Sequence, residues 1–281
     1  MLKWHNFSLG NFMLKLILVF LGLTIRLSGK AQNGCTVKNK AFKPGETATY
    51  VAYYQLGPMW IDAGEVSFET TLSNFGTKSC YHIKGLGKTL PGYDKLFKVR
   101  DRFEAWVDTS TLKTYRYLRD TDDGGFKNYN DNYFHYDKGF STCYRKINND
   151  KPSYDSVAIT ECTFDVLSMV YAARNVDFSN LKVNDSIPIS LFLDDKTYEL
   201  SVKYLGKVVL KTEFGKFRCI TFSPRLVSGT IFSEGQRMKV WMSDDANHIP
   251  MLVESPVQVG KVKGRIKTLD GIRNPMTSRV D

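Results

Sequence analysis

Phe97-Lys98-Val99-Arg100-Asp101-Arg102-Phe103-Glu104-Ala105-Trp106-Val107-Asp108 runs through a short loop ending at Leu112 into Lys113-Thr114-Tyr115-Arg116-Tyr117-Leu118-Arg119-Asp120. Charged residues alternate with apolar and aromatic ones at period two, the pattern of two half-buried strands joined by a reversal. Charge complementarity suggests a register. Arg100 would face Asp120 and Glu104 would face Arg116 on one side of the ribbon. On the other side Phe103 would meet Tyr117, Ala105 would meet Tyr115, and Asp101 would meet Arg119. Such cross-strand pairs contribute roughly 0.2–1 kcal/mol each. A one-residue slip would turn every side chain to the wrong face. Asp101 and Arg119 share their face with aromatics, so they read as a desolvated ion pair that fixes register, or as charges at a cavity wall.

The same period continues along the chain. Strands are expected near 46–55, 59–72, 79–88, 96–108, 113–121, 126–137 and 139–147, then near 187–194, 197–211, 214–226, 236–243, 249–255 and 259–268. Gly57-Pro58, Asn74-Phe75-Gly76, Asp122-Asp123-Gly124-Gly125, Lys138-Gly139 and Asp194-Asp195 carry the chemistry of tight reversals. Short connections make consecutive strands antiparallel neighbours. Thr160–Ala173 departs from the pattern. Phe164, Leu167, Val170 and Tyr171 recur there at helical spacing behind Thr160 as N-cap. Asn148–Ser156 is polar and contains Pro152, so it reads as a loop or boundary. The expected fold is all-β and mainly antiparallel, a large curved meander sheet or open half-barrel with one amphipathic helix. It occupies a single domain over 32–281, with two halves meeting near 148–186.

The first residues suggest an address. Leu16–Leu23 is almost continuously apolar, preceded by Lys15 and followed by Arg26 and Lys30. That run is shorter than the roughly 20 residues of a permanent membrane helix. A signal peptide over 1–31 with cleavage after Ala31 is therefore expected, and with it a periplasmic or outer-membrane-associated product. Its removal takes Lys3, Lys15, Arg26 and Lys30 and no acid, lowering the formal charge from +10 to +6. Positive charges alternate with acids instead of clustering, and no groove-entering motif occurs, which argues against nucleic acid. Peripheral association with a membrane is compatible with this moderate basicity. The five cysteines, Cys35, Cys80, Cys143, Cys162 and Cys219, are odd in number and match no zinc spacing.

Motifs of catalysis fail on inspection. Gly85-Leu86-Gly87-Lys88-Thr89 ends like a phosphate loop, but His82 stands where the first glycine belongs, and Pro91 and Gly92 block the following helix. Asp120–Asp131 lacks the ligands of a calcium loop. Ser110-Thr111-Leu112-Lys113 has the spacing of an acyl-serine enzyme but lies in a hairpin loop. The four histidines are scattered. No enzyme activity, metal or cofactor is expected from these signals.

Three stretches carry a resemblance. Phe42-Lys43-Pro44-Gly45-Glu46 leads into a run from Tyr53 to Glu65 that contains Trp60-Ile61-Asp62-Ala63-Gly64-Glu65. Phe97–Glu104 precedes the loop at 108–112. Lys239-Val240-Trp241-Met242-Ser243-Asp244-Asp245 leads through Ile249-Pro250 to Val253-Glu254-Ser255-Pro256. Together, over about 42–272, they are similar to the domain of unknown function 3108 family of exported envelope proteins from Bacteroidetes-type bacteria. The resemblance implies a secreted or periplasmic domain of curved β-sheet, akin at the level of fold to half-barrel lipid carriers, and assigns no catalytic residue.

Fifteen tyrosines, eighteen phenylalanines and four tryptophans, many on expected strands, either fill the core or line an apolar cleft. Taken with the lone helix, they suggest a non-enzymatic envelope protein that binds a lipid or another apolar ligand. Trp60, Phe103, Tyr117, Leu167 and Tyr171 would stand at the cleft, with Asp101 and Arg119 at its polar edge. The alternative is a structural or adaptor module that docks on another envelope protein through a sheet edge or aromatic patch.

Overall fold

The computed structural model describes residues 37–95, 97–224, 238–257 and 260–280. The expected signal peptide lies outside them. Eight strands come first: β1 (Thr47–Leu56), β2 (Met59–Phe75), β3 (Lys78–Thr89), β4 (Val99–Asp108), β5 (Thr114–Asp123), β6 (Phe126–His135), β7 (Phe140–Ile147) and β8 (Ser153–Ala158). The two-residue β9 (Thr163–Phe164) precedes helix α1 (Val166–Ala173). Six more follow: β10 (Ser186–Leu193), β11 (Lys196–Thr212), β12 (Gly215–Pro224), β13 (Lys239–Ser243), β14 (Pro250–Pro256) and β15 (Lys261–Asp270).

All fifteen strands form one sheet in the order β8-β7-β6-β5-β4-β3-β2-β1-β15-β14-β13-β12-β11-β10-β9. Two meanders thus run outward from a seam where the first long strand pairs with the last. Fifteen strands laid flat would span roughly 65 Å. The chain nevertheless passes from one edge to the other, Ala158 to Thr163, through only four residues, which reach no further than about 18 Å. The sheet must therefore curl until its edges approach. They do: Thr197 Oγ1 of β11 donates to the carbonyl of Ala158, at 2.9 Å.

Helix α1 lies inside the curl with every residue buried. It starts later than its periodicity predicts. Thr163 and Phe164 pair in parallel with Ser190 and Leu191 of β10, so Thr160 is not the cap. Asp165 is: its carboxylate accepts from the backbone N–H of Leu167 at 2.8 Å and of Ser168 at 3.1 Å. The Thr114 hydroxyl donates to the same carboxylate and ties the helix start to β5. Gly85 lets the helix approach the sheet, since a Cβ there would stand 3.2 Å from the Phe68 ring and 3.5 Å from Leu167.

The polar stretch after Asn148 also differs from expectation. Asn148 makes a positive-φ turn, and Ser153–Ala158 then pairs with β7 as an edge strand. Its side chains are mostly exposed, so it has no apolar face to betray it.

The helix ends at Arg174, which joins three distant parts of the chain. Its Nη1 and Nη2 donate to the two carboxylate oxygens of Glu46 at 2.5 and 2.9 Å, and its Nε donates to the Asn247 carbonyl at 2.9 Å. Arg174 and Glu46 are both buried, and the guanidinium stands over the rings of Phe42 and Tyr171. The segment before β1, the end of α1 and the β13–β14 turn are locked by this one fork. Removing one partner of such a pair strands the other charge in the core. Glu46→Gln should therefore lower the free energy of unfolding by about 3–5 kcal/mol, measured by denaturant titration. A loss below 1 kcal/mol would contradict this account of the fork.

Candidate functional site

The β4–β5 ribbon positions the site, in a register two residues from the one its charges suggested. Arg100 faces Asp122, Arg102 faces Asp120, Phe103 faces Arg119, Ala105 faces Tyr117, and Asp101 faces Thr121. Asp101 and Arg119 are therefore not cross-strand neighbours. The loop is longer than the paired reading allowed, because Leu112 takes positive φ and is buried. A bulge after Trp106 then pairs Val107 with Thr114. Thr114 is buried as a result, while Tyr115 is only half-buried and donates its hydroxyl to Asp108. A shift of two keeps every residue on its face and still sets cations opposite acids, so charge alone did not select between the registers.

Of the residues expected at an apolar cleft, Phe103, Tyr117, Leu167 and Tyr171 do come together on the inner side, all buried in the core around α1. Tyr171 accepts a hydrogen bond at its hydroxyl from Thr70 Oγ1, at 3.1 Å. Trp60 does not join them. It is half-buried, with the Lys263 ammonium 4.0 Å from its ring centroid.

Behind the apolar layer the inner face turns polar. Across β4, β5 and β6 it carries the rows Asp101-Thr121-Asn128, Phe103-Arg119-Asn130 and Ala105-Tyr117-Asn132. Arg119 spans to the opposite arm of the sheet, donating from Nη1 to Asp194 Oδ1 at 2.5 Å. Asp194 and Asp195 make the β10–β11 turn, both at positive φ. Asp195 takes Asn130 Nδ2 at 3.3 Å and has Arg145 at 3.8 Å. Both carboxyl oxygens of Asp101, the Tyr117 hydroxyl and the side-chain oxygens of Asn128, Asn130 and Asn132 are buried without a hydrogen-bond partner in the structure. Folded proteins leave few such groups, and ordered water commonly satisfies them. Burial, then the nearby Asp123, pushes the Asp101 carboxyl well above the usual carboxylate range, against the pull of Arg119. Burial likewise raises Asp195.

On the outer side of the same strands lies an open groove of about 480 Å³. Lys88, Arg100, Arg102 and Lys127 line it, opposed by Glu65, Asp120 and Asp122, with Leu86 the apolar member. Arg102 bridges Asp120 at 3.0 Å and Glu104 at 2.8 Å. Glu65 lies 3.0 Å from Lys267 and 3.6 Å from Lys88. The hydrogen bond from Lys267 holds the Glu65 carboxyl below its ordinary pKa. Arg100 turns aside to fork onto Asp94, at 2.5 and 3.1 Å. Asp101 and Thr121 border both regions. The outward residues gave no separate signal in sequence, since charged side chains at alternate positions are what any solvated sheet face shows.

No group of three or more His, Cys, Asp or Glu among the described residues could hold a metal ion. His82 is engaged by Glu104 at 2.6 Å and stacks on Trp106.

Residues 49–267 match the family model described as a protein of unknown function, DUF3108. The chain belongs to that family. In this DUF3108 chain the Trp241–Asp245 motif builds a turn: Asp245 Oδ1 accepts from Ser243 Oγ and the Asn247 backbone N–H, each at 3.0 Å. No curated protein matches the chain at a significant level. A solved structure similar to it is the β-barrel-like protein of domain of unknown function DUF1849 from Brucella abortus. The two align with a TM-score of 0.55 at 12% identity, over 82% of this chain and 99% of that one. At that identity the likeness bears on the fold alone, a barrel-like curl of one sheet.

Asp101 supplies a test by pH. Because folding raises its pKa, the folded state pays to ionise it, and the chain loses stability as pH climbs from about 4, the unfolded aspartate value, towards the raised folded value. Asp101→Asn removes that loss. The variant should match the parent in thermal midpoint near pH 4 and exceed it increasingly above. A variant that is less stable by the same margin at every pH would refute the assignment.

Proposed function

We propose that this chain is an exported, non-enzymatic binding protein of the cell envelope, periplasmic or associated with the outer membrane. In this reading it holds the charged head of a lipid or other amphiphile in the outer groove of β2–β6. The observation that carries the reading is the convergence of four cations and three acids, with Leu86 beside them, on one open volume of about 480 Å³. That size falls within the usual range of small-ligand sites. Charges of both signs suit a head group bearing phosphate together with an ammonium or hydroxyl. The buried packing of Phe103, Tyr117, Leu167 and Tyr171 around α1 favours a ligand on the outer face over one in an inner apolar cleft.

Export is supported by the apolar start of the chain and by Cys162, which is disulfide-bonded, as oxidising compartments permit. Cys80, Cys143 and Cys219 are free and buried. Alkylation of the unfolded, unreduced protein from its native compartment should label these three and spare Cys162. A labelled Cys162 would count against an oxidising location.

Binding is tested with fluorescent lysophospholipids and by native mass spectrometry of protein purified from its own host. Arg102→Glu and Lys127→Glu should each weaken binding about tenfold, or roughly 1.4 kcal/mol. Absence of co-purifying amphiphile, together with equal titrations for parent and variants, would eliminate the groove reading. A second reading, an adaptor for another envelope protein, is favoured by the exposed edge strand β8, whose Tyr154 stands 75% exposed. A stoichiometric partner cross-linked through Tyr154 would favour it.

A further inference from the structure

At the other end of the sheet, the β11–β12 hairpin outruns its neighbours. β10 pairs with β11 only over Lys196–Lys203, and β13 pairs with β12 only over Cys219–Phe222. From Lys207 to Arg218 the hairpin is therefore a two-stranded ribbon. Its β12 side is met by the C-terminal segment, through Arg218 N–H to the Ser278 carbonyl at 2.8 Å and Val280 N–H to the Lys216 carbonyl at 3.0 Å, and at its base by Asp244 N–H to the Arg218 carbonyl at 2.9 Å. Two-stranded ribbons bury little surface of their own.

This ribbon nevertheless carries apolar side chains in the open. Val209 is 60% exposed, Phe214 44% and Val208 40%, and Val280 beside them is 41% exposed. Lys207, Lys211, Lys216 and Arg218 surround them. The lone acid of the stretch, Glu213, is held by Arg265 at 2.9 Å; Lys207 pairs with Asp244 at 2.9 Å and Arg218 Nη2 donates to the Thr277 carbonyl at 2.7 Å. Exposed apolar groups gathered on one projection mark an interaction surface, and the cations define its partner. Lysines along the free side of β11 disfavour the addition of another protein strand. They favour a phosphate-rich surface, because long cationic side chains keep their heads among lipid phosphates while neighbouring apolar groups enter the interface.

We propose that the β11–β12 ribbon is a membrane-docking element that places Phe214 and Val209 in the head-group region of an anionic bilayer, with Lys211 and Lys216 on its phosphates. Residues other than those of the groove carry this inference, and it stands whether or not the groove binds a ligand.

The test uses the full mature chain and vesicles of phosphatidylcholine alone or mixed with phosphatidylglycerol. Sedimentation should show binding to the mixed vesicles, about tenfold weaker on phosphatidylcholine alone and weakened by salt. Phe214→Asp should reduce binding to mixed vesicles about tenfold, as should the pair Lys211→Glu and Lys216→Glu, with unfolding curves unchanged. Phe214→Trp should shift its emission to the blue on mixed vesicles. Equal binding to both vesicle types would overturn the proposal, as would no binding at all, even with a protein partner captured at the ribbon. Loss of binding by the lysine variant but not by Phe214→Asp, with no blue shift, would overturn insertion.

Discussion

Four residues between Ala158 and Thr163 constrain everything else in the molecule. Because they join opposite edges of a fifteen-stranded sheet, the sheet cannot lie flat, and one of its faces must become an interior. Helix α1 occupies that interior because it follows the crossing directly, and its end delivers Arg174 to Glu46. The buried fork then fixes how the segment before β1 and the β13–β14 turn meet the helix. A charge pair is an expensive way to fill a core. Its geometry, two parallel hydrogen bonds plus a third to the Asn247 carbonyl, satisfies the guanidinium in a way that a sliding apolar contact would not match.

The curl also explains why the two faces of β4–β6 differ in chemistry. Towards the helix the inner face is apolar. Away from it, polar rows run from Asp101 to Asn132 and meet the Asp194-Asp195 turn of the other arm. The outer face of the same strands carries the groove, where cations and acids, Arg102 with Asp120 and Lys88 with Glu65 among them, line an open volume. A ligand site there needs little rearrangement of the core, since the side chains that line it stand on regular strands.

The candidate site was legible only in part. Lys88, Arg102 and Lys127 stand at outward positions that the period predicts, yet nothing along the chain says that their strands curve into a shared trough. Asp101 and Arg119 were correctly placed on a buried face, but their pairing was not. Asp122 and Asp120 complement Arg100 and Arg102 in the observed register as well as Asp120 and Arg116 complement Arg100 and Glu104 in the other. The bulge at Trp106 and the buried Leu112 settle that choice, through packing that local charge does not encode. Strand β8 leaves no period in the sequence because an exposed edge has no apolar face to alternate, and α1 is shorter than its periodicity because β10 recruits Thr163 and Phe164.

By itself the sequence determined the all-β antiparallel meander, most strand positions, the helix after Thr160 and which side of β4 and β5 is buried. These follow from a period of two and from turn residues, both of which act over a few neighbours. Only the tertiary structure decided the register of β4 on β5, the near closure of the sheet, the remote partners of Arg119 and Arg174, and the groove. Each of those depends on contacts between residues tens to more than a hundred positions apart, where the energy of a match is set by shape and burial in three dimensions.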